Sequence, residues 1–409
     1  MKKERSVATR GRRLAKILLF NLGLFAALVL GLEVLCSFFV SVPAKHVIPH
    51  IYLNHVWKPN SEWTHREWIK KNPDFPEPFT TTFNAQSWIE TYDISRAKPA
   101  GVYRIFYFGD SFTEGTCPMD QSVPSQVEAR LAELYGPKRG IEVINAGTTS
   151  YSPTLHYLLL RHVVVHYEPD LVVVNVDMTD DFDDWKCRQY LIVDDEGKPF
   201  AAPPRKIYEA QTLDTLQGQI ELTAWRKTQL FFYQHSNTYH ALRDLRKAFG
   251  IEPEVQAPGF VLNERLPHEY PRWAWCQKEW DDMTRENVAF TLEMLRDIAE
   301  LSRKHGIKLM WTSVPHYPQY AGNDDGTGEP AMSSRPHEEI AALAKDLGVP
   351  YLSSFEALKP YIAGTPQSRY YYVGDMHFNP RGYALWARAH LEFLLDERND
   401  LLPRLDGPE

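Results

Sequence analysis

The stretch VYRIFYFGDSFTEG, Val102 to Gly115, is where the fold becomes readable. Val102–Phe108 is β-branched and aromatic, the composition of a short strand, and Gly109-Asp110-Ser111 marks a tight turn at its end. The same alternation continues downstream. Ser122 and Pro124 open a helix whose face carries Val123, Val127, Leu131 and Leu134. Ile141–Ile144 is a strand, and Ser152-Pro153 starts a helix running to about His166. Leu171–Val176 (LVVVNV) is nearly all apolar, as a parallel strand covered on both faces must be. After a gap come a helix at Trp280–Lys304, a strand at Ile307–Val314 and a helix at Pro336–Leu347 behind Ser334 or Arg335. A short strand at Pro350–Leu352 and a helix from Asn379-Pro380 to about Leu395 complete the series. Strands alternating with helices predict an α/β fold with a parallel, doubly wound sheet and right-handed crossovers. Sites in such sheets lie beyond the carboxyl ends of the strands.

Outward from this core, residues 185–278 read as an insertion. It holds a hairpin, LIVDDEGKPF, turning at Glu196-Gly197, and a helix around Leu230–Phe249. Residues 41–98, rich in aromatics and proline, read as an irregular arm, and residues 397–409 as a tail. The catalytic-domain candidate is thus 99–396. Of the 409 residues, 44% are hydrophobic and 24% charged, which excludes wholesale disorder and a polytopic membrane protein. The net charge of −8 argues against nucleic acid as a partner.

The charge is unevenly spread. Residues 1–16 form a basic head of +6, leaving −14 on the rest. Ile17–Val40 follows, 24 residues interrupted only by Asn21, Glu33 and Ser37. At about 1.5 Å per residue it reaches roughly 36 Å, enough for a bilayer core of about 30 Å. It is long for a signal-peptide core, and Ser41-Val42-Pro43-Ala44 is a poor cleavage site, so an uncleaved anchor is expected. Arg12-Arg13 also fits a twin-arginine signal, although basic anchors often contain such pairs. Positive residues stay cytoplasmic, so the acidic remainder is expected outside the cytoplasm, in the periplasm of a Gram-negative cell. Glu33 lies near the outer end of the span, where it can reach the interface.

Two short segments carry chemistry. Ser111 falls just past a buried strand, where a hydroxyl can be presented on a turn; a serine capping the next helix would look the same. Asp375-Met376-His377 precedes the last helix. In extended backbone, residues i and i+2 project to one side about 6.5–7 Å apart, so the Asp375 carboxylate can hold one nitrogen of His377 and leave the other for Ser111. Serine needs such a base, and the base needs an orienting group. Gly-x-Ser-x-Gly is absent, since residue 113 is Thr, which disfavours the α/β-hydrolase fold.

Strand-GDS at one end and Asp-x-His before the terminal helix resemble the GDSL-type, or SGNH, hydrolase superfamily over about residues 99–396, with GDSFTEG and its lead-in strand most like the membrane-anchored bacterial branch. The resemblance implies a three-layer α/β/α domain with a flavodoxin-like sheet that hydrolyses or transfers ester-linked acyl groups, without a cofactor or metal. It implies Ser111 as nucleophile, His377 as base and Asp375 as its orienting acid, with Gly147 of Ile144-Asn145-Ala146-Gly147 lending an N–H to the oxyanion hole. The family's Gly-x-Asn-Asp block is missing. Val176-Asp177-Met178-Thr179-Asp180-Asp181 stands in its place, with Thr179 nearest the asparagine that donates to the oxyanion. Losing such a donor typically costs about 10²–10³ in rate. The expected protein is a membrane-anchored extracytoplasmic esterase or O-acyltransferase. Its expected partner is an ester-bearing substrate, with an acylated envelope carbohydrate as candidate. A non-catalytic envelope binding or assembly protein on the same fold is the alternative.

Other clusters receive plainer readings. Asp177, Asp180, Asp181, Asp183 and Asp184 crowd one strand end and are expected to form a solvated loop with capping acids rather than a metal site. Trp185, Trp273, Trp275 and Trp280 suit core packing or insertion anchoring better than sugar stacking. His316, also past a strand end, is expected to be structural. Cys36 lies in the anchor. Among Cys117, Cys187 and Cys276, a Cys187–Cys276 disulfide is the favoured pair if a bridge exists.

Overall fold

The computed structural model describes residues 2–38, 46–65, 77–136, 140–204, 228, 232, 236–248, 270–321 and 332–404. The chain divides into two compact units.

The first unit, Met1–Lys45 with Ala210–Thr212 and Gln219–Gly259, contains helix α1 (Lys2–Ser37). Its Lys16–Ser37 portion, 22 residues, is long and apolar enough to cross a membrane. The helix begins well before the apolar run, so the basic head is helical too. The expected end of the anchor, residues 39–40, lies outside the described residues.

The second unit begins with two antiparallel pairs. Strand β1 (Val47–His50) pairs with β2 (Asn54–Trp57), and β3 (Ser61–His65) with β4 (Phe79–Phe83). The expected irregular arm is therefore partly ordered sheet. Its aromatics explain why: Trp57, Phe83 and Ile89 form a small core of their own, and the Trp57 and Phe83 rings stack at 4.6 Å. Strand β5 (Val102–Phe108), the turn of helix α2 (Ser111–Glu114), α3 (Val123–Tyr135), β6 (Gly140–Asn145), α4 (Pro153–His162) and β7 (Leu171–Asp177) follow. Helix α5 (Asp180–Arg188) leads to the expected hairpin, β8 (Ile192–Val193) with β9 (Pro199–Ala201). Of the expected helix at 230–249, the residues Asn237–Ala248 form α6, which belongs to the first unit. The chain then forms α7 (Asp282–Lys304), β10 (Lys308–Val314), the turn α8 (Pro318–Ala321), α9 (Arg335–Leu347), β11 (Tyr351–Ser353), α10 (Ser354–Ile362) and α11 (Pro380–Leu395).

Five strands make one parallel sheet in the order β6-β5-β7-β10-β11, the flavodoxin-like arrangement whose switch point falls between its first and third strands. Alternation along β5 divides the core. Phe106 and Phe108 pack with Leu155 and Leu158 of α4, Ile298 of α7 and Ile340 of α9. Ile105 and Tyr107 pack with Val127 of α3, Leu358 of α10 and Trp386 of α11. Successive strand side chains point to opposite faces, so one run supplies both layers. Burying each such side chain contributes about 1.5–3 kcal/mol. The helix starts are chemically set: Asp281 accepts from Thr284 N–H at 2.7 Å, and Asn379 accepts from the N–H groups of Arg381 and Gly382 at 3.0 and 3.2 Å.

Candidate active site

At the β5–β7 switch point, Ser111 opens α2 directly after β5. Gly109 permits this turn, because a Cβ there would lie 2.0 Å from Thr113 Oγ1. The Ser111 hydroxyl donates to Nε2 of His377 at 2.7 Å, and Nδ1–H of His377 donates to Asp375 Oδ1 at 2.5 Å. The two segments, 266 residues apart, meet because their loops are tied together. Tyr372 O–H donates to the Thr116 carbonyl at 2.7 Å, Thr116 N–H donates to the Tyr383 hydroxyl at 3.1 Å, and Thr116 O–H donates to the Phe378 carbonyl at 3.3 Å. Within the His377 loop, Tyr372 N–H donates to the His377 carbonyl at 3.0 Å and Gln367 Nε2–H to the Asp375 carbonyl at 3.0 Å. The His377 and Asp375 side chains are 14% and 13% exposed, so the pair is shielded yet reachable. The Phe112 ring lies 4.8 Å from the imidazole.

One local device recurs around the site. A carboxyl or amide oxygen accepts the N–H two residues on: Asp110 from Phe112 at 2.9 Å, Asn145 from Gly147 at 3.0 Å, Asp177 from Thr179 at 2.9 Å and Asp375 from His377 at 3.0 Å. These Asx turns fix the loops. They also engage the two expected oxyanion donors. The Gly147 N–H is engaged by Asn145, and the Thr179 hydroxyl donates to Asp177 Oδ1 at 2.5 Å. Neither is a free donor in this arrangement. Gly147 has a different necessity: a Cβ on it would sit 2.3 Å from the Glu114 nitrogen, in the turn that carries Ser111.

The acidic cluster is not a solvated loop. Asp177, Asp180, Asp181, Asp183 and Asp184 are all buried, the last four on α5. Asp180 accepts from Asp177 N–H at 3.0 Å, Asp181 from Tyr270 O–H at 2.5 Å, and Asp184 from Thr154 N–H at 3.0 Å and Thr291 O–H at 2.7 Å. Asp183 pairs with Lys186. Burial pushes the carboxyls of Asp180 and Asp181 well above the usual range. It raises Asp184 to about 6, against the hydrogen bonds from Ser152, Thr154 and Thr291 that pull it down. Asp110, beside Ser111, is likewise pushed up, by burial first and by the charge of Asp177 second. Burial without a cationic partner disfavours the charged form of each of these acids.

The pair missed in the sequence is Asp177–His316. His316 Nε2–H donates to Asp177 Oδ2 at 2.6 Å, with both side chains buried. Asp177 ends β7 opposite Val314 at the end of β10, so His316 lies two residues past a neighbouring strand end; that register was the available signal. Burial pushes Asp177 up, but the His316 charge and the hydrogen bonds from His316 and Thr179 bring it down to about 2. Nδ1 of His316 has no partner among the described residues, and Phe112 and Trp273 pack edge-on against the ring at 5.3 and 4.9 Å.

The remaining residues resolve as follows. Trp275 is fully buried, and Trp280 donates to the Trp275 carbonyl at 3.2 Å beneath the Arg335 guanidinium. Trp185 and Trp273 are half-buried. All four cysteines are free, which removes the Cys187–Cys276 bridge. Cys276 Sγ approaches the Met178 carbonyl at 3.9 Å instead. Burial pushes the Cys117 thiol well up, which makes it a poor nucleophile.

The chain matches no protein-family model and no curated protein. Among solved structures it is similar to Axe2, an acetylxylan esterase from Geobacillus stearothermophilus, at 11% identity and a TM-score of 0.37, covering 72% of this chain and 94% of that one. It is also similar to a two-domain esterase, CEX, active on acetylated mannans and co-crystallized with mannopentaose, at 14% identity and a TM-score of 0.38, covering 76% of this chain and 53% of that one.

Proposed function

We propose that the protein is a serine esterase or O-acyltransferase of the SGNH type, anchored by α1 and acting outside the cytoplasm on ester-linked acyl groups. The observation that carries this reading is the continuous proton path from Ser111 through His377 to Asp375, at 2.7 and 2.5 Å. With Asp375 accepting from Nδ1–H, the Nε2 lone pair faces the hydroxyl, the protonation pattern a general base requires. Ser111 Oγ attacks the ester carbonyl as His377 takes its proton. Collapse of the tetrahedral intermediate breaks the ester C–O bond, and His377 returns the proton to the leaving alcohol. Water or a second alcohol then attacks the acyl-enzyme with His377 again as base, which frees Ser111. The Ser111 N–H, at the start of α2 where helix donors lack intrahelical partners, is the first oxyanion donor. An acylated envelope carbohydrate is the substrate class that suits the expected side of the membrane.

The inward-turned Gly147 and Thr179 donors favour a second reading, a binding or assembly protein on this fold. Treatment of the full chain in detergent with p-nitrophenyl acetate and a fluorophosphonate separates the two. Hydrolysis and labelling that vanish in Ser111→Ala but persist in Ser95→Ala support the enzyme. A folded protein that neither turns over nor labels supports the binding role.

A further inference from the structure

Glu33 is the only carboxylate in Lys16–Ser37, and its partners lie on α6. Its carboxylate accepts from the Ser236 hydroxyl at 2.8 Å, from the Asn237 N–H, and from the Thr238 N–H at 3.2 Å. Ser236 Oγ in turn accepts from the Tyr239 N–H at 3.1 Å. These are the opening donors of α6, which no turn of its own can satisfy. A negative group there also complements the helix dipole. An acid that is costly in an apolar span is thus the cap of a second helix in the same unit.

The depth is informative. Glu33 stands four residues before Ser37, the end of α1, or about 6 Å along the axis. A helix lying in a bilayer interface sinks its apolar face about 5–10 Å into the headgroup and acyl boundary. The sequence of α6, NTYHALRDLRKA, is amphipathic. At helical spacing Ala241, Leu242 and Leu245 share one arc, and His240, Arg243, Asp244 and Lys247 fall on the other. Leu242 and Leu245 are 57% and 56% exposed, so no described residue covers them. The helix carries Arg243, Arg246 and Lys247 against Asp244, a local excess of +2 in a region where residues 17–409 sum to −14. Exposed leucines one turn apart, basic neighbours and an N-terminus fixed at interfacial depth on a lipid-facing helix suit one partner, the bilayer that α1 crosses.

We propose that α6 lies flat in the outer-leaflet boundary of that bilayer, with Leu242 and Leu245 toward the acyl chains and the Glu33 cap setting its depth. This rests on α1 as a membrane span and is independent of the esterase chemistry.

The test uses the full chain in vesicles of phosphatidylcholine and phosphatidylglycerol, some carrying a nitroxide at a shallow or a deep acyl carbon. An environment-sensitive fluorophore is placed by Leu242→Cys, Leu245→Cys, Asp244→Cys or Leu28→Cys. Each is made in a Cys36→Ser background, since the other thiols are buried. The expected result is blue-shifted emission and shallow-nitroxide quenching at 242 and 245, water-like emission at 244, and deep quenching at 28. Glu33→Leu should then lower the docked fraction at 242 about fivefold, the usual effect of losing a cap, while Glu33→Gln keeps most of it. Labels at 242 and 245 that match 244 while 28 stays quenched overturn the proposal, as does crosslinking between copies through 242 with no lipid quenching. A Leu28 label that also escapes quenching overturns the span and the proposal with it. A Glu33→Leu protein with unchanged quenching at 242 overturns the role of the cap.

Discussion

Asp177 holds His316 at 2.6 Å in the interior while accepting both the N–H and the hydroxyl of Thr179. One carboxylate thus sets the ends of β7 and β10 beside the Ser111 turn. Removing one partner of a buried pair leaves the other uncompensated, at a cost of about 3–5 kcal/mol. Asp177→Asn is expected to lower stability by that order in urea unfolding of the full chain in detergent. A change within about 0.5 kcal/mol, the range of ordinary surface substitutions, would rule out the structural weight assigned to this pair.

Asp375→Asn keeps the size of the side chain but can donate to Nδ1, which favours the wrong tautomer of His377. A loss of about 10⁴ in kcat is expected with little change in KM, since the substrate is untouched. Steady-state kinetics on p-nitrophenyl acetate check this, and a fall of tenfold or less would mean that Asp375 does not orient the base.

Burial raises Asp184 from its ordinary 3.8 to about 6. A carboxyl whose folded value is raised contributes its stability below its unfolded value and loses it as pH rises through the folded one. The contribution of Asp184 should therefore fall between about pH 4 and pH 6, by about 3 kcal/mol for two pH units. Asp180 and Asp181 act in the same sense. Asp177, lowered to about 2, works oppositely, and its contribution is lost as pH drops below 3.8 toward that value. Buried histidines such as His156 and His337, whose imidazoles burial holds down to about 3, work against this trend as pH falls below their ordinary 6.5. The comparison with Asp184→Asn isolates the group: in thermal unfolding the variant's midpoint should rise relative to that of the unmutated protein as pH goes from 4 to 6. A difference between the two midpoints that stays constant over that range would contradict the assignment.

Gly147→Ala introduces a Cβ 2.3 Å from the Glu114 nitrogen. The α2 turn must shift, and Ser111 with it. Overpacking of this kind costs about 1–3 kcal/mol. Fluorophosphonate labelling should slow well beyond what the fall in melting temperature explains. Labelling at the normal rate would show that the turn absorbs the methyl group without moving the nucleophile.

The parallel sheet was legible because its strands are short, β-branched apolar runs set between helices, as in Leu171–Val176. The meeting of Ser111 with His377 was legible because a strand end and a helix start fix where the two segments must lie. Local hydrogen bonding hid the rest. Gly147 and Thr179 are captured two residues away by Asn145 and Asp177, a competition that residue type does not announce. Helix α5 was obscured by four aspartates in DDFDDWKCR, which read as solvated until packing supplied Tyr270, Thr291 and Lys186 as partners. Helix α10 carries Pro360 inside it, and the paired strands of the arm are too short to show a period.

The arm holds the loop beside Ser111. Trp57 Nε1–H donates to the Gly147 carbonyl at 3.2 Å, His55 Nε2–H to the Thr149 carbonyl at 2.8 Å, and Ile89 N–H to the Asn145 carbonyl at 3.0 Å. Proteolytic shedding would therefore have two quite different outcomes. A cut before His46 would leave the Ser111 loop buttressed, whereas a cut nearer Pro99 would strip it of three supports.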